Sequence, residues 1–414
     1  MLLRARVVLP MVQPAIADGV VEITGRRLAR ISRWREFSTS EKRDVIDLGD
    51  IVLMPGLVNA HCHLDYSDMA GMLPAPKTFS DWIKGILALK SHWNYADYAR
   101  SWLNGARMLV RHGVTTVADI EAVPELLPEV WDATPLRVFS FLEMTGVKSQ
   151  RPAEAILQEA FQILESLAHR RNRGGFSPHA PYSTTAALLQ LSAACARARG
   201  RWVTTHVAES LEEFEMFMDR RGAMFDWLKS QRDVTDCGGI SPIQHLERQG
   251  VLGDNFLAVH VNYLAPGDAE LLARRGASVT HCPRSHAYFG HQPFPRAALA
   301  AAGVNLCLGT DSLASVNKQQ KQLPELNLFS EMQQFVSTMP EVSAAEILAM
   351  ATVHGARALG LAGSVGELSA GAEADLIALP FGGMLKDAAE SVVQHRGEVA
   401  AVMIEGEWVV QPKL

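Results

Sequence analysis

The sequence predicts an α/β protein: a (β/α)8 TIM-like barrel carrying a small β-sandwich formed by the N- and C-terminal segments. Three observations carry this. Through the middle of the chain, eight short apolar stretches alternate with helical ones, and that alternation calls for a parallel sheet. No GxGxxG or GxxxxGK[ST] loop follows the first of them, which weakens the competing doubly wound open sheet. Both chain ends read as short strands joined by turns. Neither end is long enough to bury its own core, so the two are expected to pair.

The elements follow in order. N-terminal strands are expected at Arg4–Val12, Gly19–Ile23 and Leu28–Ser32, with a turn signal at Ala17-Asp18-Gly19. Barrel strands are expected at Leu53–Ala60, Val114–Asp119, Leu136–Phe141, Gly174–Ser177, Val203–Val207, Leu257–Val261, Ser278–Cys282 and Val304–Gly309. Helices are expected at Tyr95–His112, Pro152–Arg171, Thr184–Arg199, Ser210–Asp219, Pro266–Arg275 and Phe294–Ala302. Strands return at Ala374–Leu379 and Glu398–Val410. Residues 1–54 with 364–414 would then form the sandwich, and 55–363 the barrel, with Pro55 and Gly56 marking the passage between them.

Composition narrows the function classes. The 414 residues are 48% hydrophobic and 20% charged, an ordinary balance for a protein with a large core. The net charge is −6 with no block of one sign, so neither a nucleic-acid nor a membrane surface is expected. The five cysteines form no CxxC pair, which favours reduced thiols over a disulfide framework or a structural zinc site. The first residues are too interrupted for a signal peptide or membrane span. A soluble, cytoplasmic protein is expected.

Barrel active sites lie at the C-terminal strand ends. The first strand ends in His61-Cys62-His63. Alternation puts His61 and His63 on one face and turns Cys62 toward the surrounding helices. The fifth strand carries His206 and, three residues on, Glu209; the sixth carries His260; the eighth ends at Asp311. Three imidazoles and a carboxylate suit Zn2+ or Fe2+ with a position left for water. A lone strand-end histidine is more often packed or hydrogen-bonded, but this set at four strand ends is hard to reach by chance.

With Pro55-Gly56-Leu57-Val58-Asn59-Ala60-His61-Cys62-His63, His206-Val207-Ala208-Glu209, Val259-His260, Gly309-Thr310-Asp311-Ser312 and Gly371-Ala372-Glu373-Ala374-Asp375-Leu376, the chain resembles the amidohydrolase superfamily. The resemblance is to its deaminase branch, related to cytosine, guanine, S-adenosylhomocysteine and triazine aminohydrolases. It implies that His61, His63, His206 and Asp311 hold one divalent metal, Zn2+ or Fe2+, and that Glu209, His260 and Asp311 do the proton work. The chemistry is consistent: a bound metal lowers the pKa of water toward about 7, and a neighbouring carboxyl can carry a proton to a ring nitrogen and then to the leaving amine. The implied reaction replaces the exocyclic amine of a purine-like substrate with oxygen. The alternatives are hydrolysis of another C–N or a C–Cl bond on a heterocycle, or a non-catalytic barrel relative, which typically loses metal ligands.

Two absences matter. Two-metal members generally use a carboxylated lysine on the fourth strand, but here Gly175–Ser183 contains none; Lys148, after the third strand, reads as a surface residue. A single metal is favoured. The HxE…PCxxC pattern of cytidine-deaminase-type enzymes is missing.

Substrate contacts are expected from His179, in Ser177-Pro178-His179-Ala180-Pro181-Tyr182, and from Glu143 at the end of the third strand, which could accept from ribose hydroxyls or an amine. Trp82 could cover a purine face or simply pack a helix. The loop after the seventh strand is expected to line the pocket through Arg284, Ser285 and His286, the last standing where many relatives have Asn. Leu211–Gly250 is long enough for a lid or a homodimer contact, and its Glu212, Glu213 and Glu215 read as a solvated helix face. Ser177–Tyr182, His206–Glu209 with Glu213–Phe217, and Cys282-Pro283-Arg284-Ser285 together resemble the aminodeoxyfutalosine deaminases of menaquinone synthesis. That implies a small heterocyclic amine substrate of the 6-aminopurine nucleoside type.

Overall fold

A computed structural model describes residues 1–412 apart from 75, 148–150, 168 and 319–322, so Lys148 lies outside the described residues. Eight strands, Leu57–Cys62, Val114–Glu121, Arg137–Met144, Arg173–Pro178, Val203–Val207, Phe256–His260, Ser278–His281 and Asn305–Leu308, pair in parallel, each with the next in the chain. The ring closes at its C-terminal end. Cys62 bridges to Asp311, and the Thr310 and Asp311 amides donate to the His61 carbonyl at 2.9 and 3.2 Å. The buried Asn59 side chain reinforces this seam, donating to Thr310 Oγ1 at 2.8 Å and accepting from the Thr310 amide at 3.1 Å. Gly309 permits the approach, since a Cβ there would lie 2.8 Å from the His61 carbonyl oxygen.

The expected first strand, Leu53–Ala60, is in fact two. Ile51–Pro55 belongs to the terminal sheet and Leu57–Cys62 opens the barrel. The break falls at Gly56, whose amide donates to Asp375 O at 3.0 Å while Leu57 N donates to Gly113 O at 2.9 Å. Consecutive residues thus bond to different sheets. A Cβ at Gly56 would sit 2.1 Å from Thr115 Oγ1, so no larger residue fits the crossing as built.

The chain termini form one eight-stranded mixed sheet: Leu2–Val8, Ile16–Thr24, Arg27–Arg33, Val45–Asp47, Ile51–Pro55, Leu376–Pro380, Ala401–Ile404 and Glu407–Val410. Leu376–Pro380 runs antiparallel to Ile51–Pro55, which joins the two chain ends. The sheet folds over its own core of Leu3, Val21, Leu28, Leu53, Leu376 and Met403. Its far ends meet where the Ala374 amide donates to Arg26 O at 2.8 Å and Gly406 packs against Gly25.

The six expected helices form with trimmed ends: Tyr95–Arg111, Ala153–Ser166, Ala186–Arg199, Leu211–Asp219, Asp268–Arg275 and Arg296–Ala302. Tyr95–Arg111 starts at a reciprocal cap in which Asn94 accepts from the Asp97 amide and Asp97 accepts from the Asn94 amide. The largest apolar cluster, including Trp102, Leu109, Val117, Phe176, Phe256 and Phe329, packs helices onto strands. No helix among the described residues is long and apolar enough to cross a membrane.

A buried charge group ties the two sheets. Arg137, in the third barrel strand, donates to Asp375 Oδ2 at 3.3 Å and lies 3.6 Å from Glu405 Oε1. Asp375 is 1% exposed. Removing one partner leaves the other charge buried alone, which typically costs about 3–5 kcal/mol. Arg137→Met is therefore expected to lower unfolding free energy by about 3 kcal/mol, read by chemical denaturation. A loss under about 1 kcal/mol would mean that the two sheets are held by other contacts.

Candidate active site

The strand ends converge. His61 and His63 leave the first strand, His206 the fifth and His260 the sixth, with Asp311 just past the eighth, and all five are buried. His61 Nε2 and His63 Nε2 each lie 3.6 Å from Asp311 Oδ1. His63 Nε2 is 3.3 Å from His206 Nε2. His260 Nε2 is 3.5 Å from Glu209 Oε1. Ligand atoms lie within 4.8 Å of one another in three overlapping groups: His61, His206 and His260; His61, His63 and Asp311; Glu209, His260 and Asp311. Cys62 is in none of them; it belongs to the large apolar cluster that also holds Leu57, Leu64 and Trp102.

The local backbone is strained to achieve this. Ala208, His260, Val261 and Asp311 have φ of 50°, 74°, 51° and 54°. Non-glycine residues rarely adopt the left-handed region, and such strain concentrates at functional sites. The side chains are oriented from behind. His206 Nδ1 donates to the His179 carbonyl at 3.0 Å, so its Nε2 presents a lone pair to the cluster. Ser315 Oγ donates to Asp311 Oδ2 at 3.1 Å. Just after His63, the Leu64 amide donates at 3.0 Å to Asp119 Oδ1, whose other oxygen accepts from Trp102 Nε1 at 3.0 Å.

Burial sets the protonation. It drives the His63 and His260 imidazoles down to about 3, the former helped by His61. It also lowers His206, with His179 adding to the shift. Burial opposes ionisation of Asp311, but the adjacent His61, His260 and His63 rings hold its carboxyl well below the usual range. Glu209 goes the other way: burial, then Asp311 and Glu213, push it well above. The site therefore sets the neutral rings of His63, His206 and His260 beside Asp311, which favours its carboxylate form, and Glu209, which favours its acid form. His61 Nε2 and His260 Nε2 are buried without a hydrogen-bond partner. Orphaned lone pairs facing a carboxylate suit a divalent cation, which would also repay their desolvation.

Glu209 is positioned from both sides. Its amide donates to Glu213 Oε2 at 2.9 Å, and its carbonyl accepts from Asn262 Nδ2 at 2.9 Å. Asn262 Oδ1 in turn accepts from His286 Nδ1 at 3.0 Å.

Above the cluster opens a cavity of about 1010 Å3, open solvent included. His63, His206, Glu209 and Asp311 line its floor, and Glu143, His179 and Ser183 its side. His179 Nδ1 bonds Ser183 Oγ at 2.7 Å. Burial opposes the charge on Glu143, but Lys90, His179 and His63 hold its carboxyl below the usual value. Trp82 both packs and lines the cavity: its Nε1 donates to Ala314 O at 3.2 Å.

Three expected pocket residues are elsewhere. Pro283–Phe289 is a short helix, not a lining loop. Arg284 is drawn off by buried Glu331, donating from Nε at 2.6 Å and from its amide at 2.8 Å. Ser285 is 1% exposed, and neither it nor His286 lines the cavity; His286 acts on Asn262. The acidic run is also not a solvated face. Glu213 is fully buried, and burial pushes it up to about 8. Glu212 caps the helix Phe79–Lys90, accepting from the Phe79 amide at 2.6 Å and from Ser80.

That helix, which roofs the cavity, went unforeseen. Its signals were in the sequence: Thr78 accepts from the Asp81 amide as N-cap, and Phe79, Trp82, Ile83, Ile86 and Leu87 recur at helical spacing.

A barrel whose C-terminal mouth gathers imidazoles and carboxylates beneath a cavity open to solvent has the build of a hydrolytic enzyme. The chain belongs to the amidohydrolase family, whose profile matches residues 52–409, and is a hydrolase of C–N bonds. It is 30% identical to a 5-methylthioadenosine/S-adenosylhomocysteine deaminase of Nitratidesulfovibrio vulgaris, over 88% of this chain and 78% of that one. It is 29% identical to a 5'-deoxyadenosine deaminase of Methanothermobacter thermautotrophicus, over 88% of this chain and 81% of the relative. Among solved structures, the aminofutalosine deaminase of Helicobacter pylori in complex with methylthio-coformycin superposes with a TM-score of 0.87. The superposition covers 99% of this chain and 100% of that one at 21% identity. A zinc-bound adenosine deaminase of Xanthomonas campestris superposes with a TM-score of 0.82, covering 99% and 92% at 24% identity.

Proposed function

We propose that the protein is a mononuclear metal-dependent aminohydrolase that removes the exocyclic amine of an adenosine-type nucleoside and releases ammonia. One observation carries this reading most directly. Glu209 stands 3.5 Å from His260 on the floor of the cavity, beside the ligand-competent His61, His63, His206 and Asp311. The names of the relatives support the substrate class, and 6-amino-6-deoxyfutalosine falls within it.

His61, His63, His206 and Asp311 would hold a single Zn2+ or Fe2+, which when bound makes hydroxide available near neutral pH. Asp311, the one ionised carboxylate of the set, accepts the proton of the attacking water. His260 hydrogen-bonds that water through Nε2 and aims it at the carbon bearing the amine. Glu209 delivers its proton to the adjacent ring nitrogen, so the negative charge of attack is quenched there. As the intermediate collapses to the carbonyl, its hydroxyl proton returns to Glu209 and the proton held by Asp311 passes to the amine, which leaves as ammonia. Glu143 and His179 on the cavity side offer an acceptor and a donor to the sugar and the ring.

Removing the ion with a chelator is expected to abolish ammonia release from adenosine-type nucleosides and to lower Tm, because bound ligand stabilises the folded state. One equivalent of Zn2+ or Fe2+ should restore both. Full ammonia release by metal-free protein would overturn the proposal.

A further inference from the structure

A second concavity opens at the end of the barrel that catalysis does not use, where the fourth and fifth strands begin. Arg173 is the first residue of Arg173–Pro178. Arg199-Gly200-Arg201-Trp202 leads from the end of the helix Ala186–Arg199 into Val203–Val207. The space is about 790 Å3, open solvent included, and none of its described lining residues lines the catalytic cavity.

Its charge is one-sided. The chain carries a net charge of −6, yet three arginines and no carboxylate line this space among the described residues. Arg201 is neutralised, donating to Glu165 Oε1 at 2.6 Å and to the Gly174 carbonyl at 3.2 Å. Arg199 rests on the Phe161 ring at 4.8 Å, and among the described residues neither it nor Arg173 has a carboxylate partner. The negative end of its helix gives Arg199 a structural reason to be basic. No such reason applies to Arg173 at the start of a strand.

The lining also has a direction. Arg173 and Arg199 are exposed at the rim, whereas Trp131, Phe139 and Leu164 are each 3% exposed and form the floor. Both indole N–H groups are spent, that of Trp131 on Ser140 Oγ at 3.1 Å and that of Trp202 on Ala358 O at 2.9 Å. These rings therefore offer apolar surface alone. Asn172, also lining the space, is 5% exposed. Its Oδ1 accepts from the Val138 amide at 2.9 Å, and its Nδ2 is buried without a partner. A buried donor left unpaired is uncommon in a folded protein and marks a place where an acceptor is missing.

We propose that this concavity binds a small phosphomonoester carrying a planar ring, at a site separate from the catalytic centre. The phosphate lies at the rim on Arg173 and Arg199, whose planar guanidinium forks match phosphate oxygens in pairs. The ring lies on the floor against Trp131 and Phe139, with a ring acceptor toward Asn172 Nδ2. A free phosphate leaves the floor unfilled, and a neutral ring leaves both guanidinium groups unpaired.

Calorimetric titration of the full-length, metal-loaded protein tests this with uridine 5′-monophosphate, inorganic phosphate and uridine. The nucleotide is expected to bind at least about tenfold more tightly than either part alone. Arg173→Gln combined with Arg199→Gln changes only exposed side chains, so Tm should hold while nucleotide binding weakens at least about tenfold. Arg173→Gln alone should weaken it about threefold or more. Arg197 leaves the same helix end but lies outside the concavity, donating to Gly250 O at 2.7 Å. Arg197→Gln should therefore keep the affinity within about twofold, a screened long-range effect. The site would be overturned by a Kd unchanged in the double variant, by an equal loss in Arg197→Gln, by inorganic phosphate or uridine matching the nucleotide, or by no binding at millimolar nucleotide.

Discussion

Replacing Glu209 with Gln is expected to lower kcat by about 10²–10⁴-fold, the usual contribution of a positioned acid–base group. The substitution keeps the shape and removes only the transferable proton. Both backbone contacts of Glu209, to Glu213 and Asn262, remain available to the variant. Metal content and Tm should therefore match the wild type while turnover collapses. The raised carboxyl explains the size of the effect. Buried and set beside Asp311 and Glu213, Glu209 favours its acid form where an exposed glutamate would be ionised. A bound cation would lower its pKa again, which suits a group that must both give and accept a proton. Measured by ammonia release under saturating substrate, a kcat within about threefold of wild type would remove Glu209 from the chemistry.

Asp311→Asn should cost at least as much, about 10³-fold or more in kcat/KM, equivalent to about 4 kcal/mol of transition-state stabilisation. It strikes two roles at once. Asp311 Oδ1 lies 3.6 Å from both His61 Nε2 and His63 Nε2, where it would complete the proposed ligand set, and its carboxyl is held well below the usual range, which suits the proposed role of taking a proton from water. An amide is a weak ligand and no base. Unlike Glu209→Gln, this variant should also bind metal less tightly, so the two substitutions separate by elemental analysis. Nearly normal turnover with normal metal content would remove Asp311 from both roles. The backbone φ of 54° at this position is tolerated by Asn as readily as by Asp, so loss of fold is not expected.

The sequence by itself determined the architecture and picked out the candidate site residues. Short apolar strands alternating with helices announced a barrel, and barrel geometry places function at the C-terminal strand ends. That rule picked out His61, His63, His206, Glu209, His260 and Asp311 from residues up to 250 positions apart, and the structure gathers them in one cluster. A strand's alternation is local, so Cys62 could be turned away from the cluster by counting alone.

What only tertiary structure decided is whatever depends on partners distant in sequence. Leu53–Ala60 reads as one strand because its apolar pattern is continuous; the break at Gly56 exists because consecutive amides find acceptors in different sheets. Arg284 looked like a pocket base until Glu331, 47 residues on, claimed it. Glu213 looked solvated until the fold buried it against the Glu209 amide. The stripe Phe79–Leu87 has the same spacing whether it meets a core or a cavity, and only the packed fold leaves it facing open space. Periodicity specifies which face of an element is apolar. What that face meets is settled by long-range packing and by the competition of buried polar groups for partners.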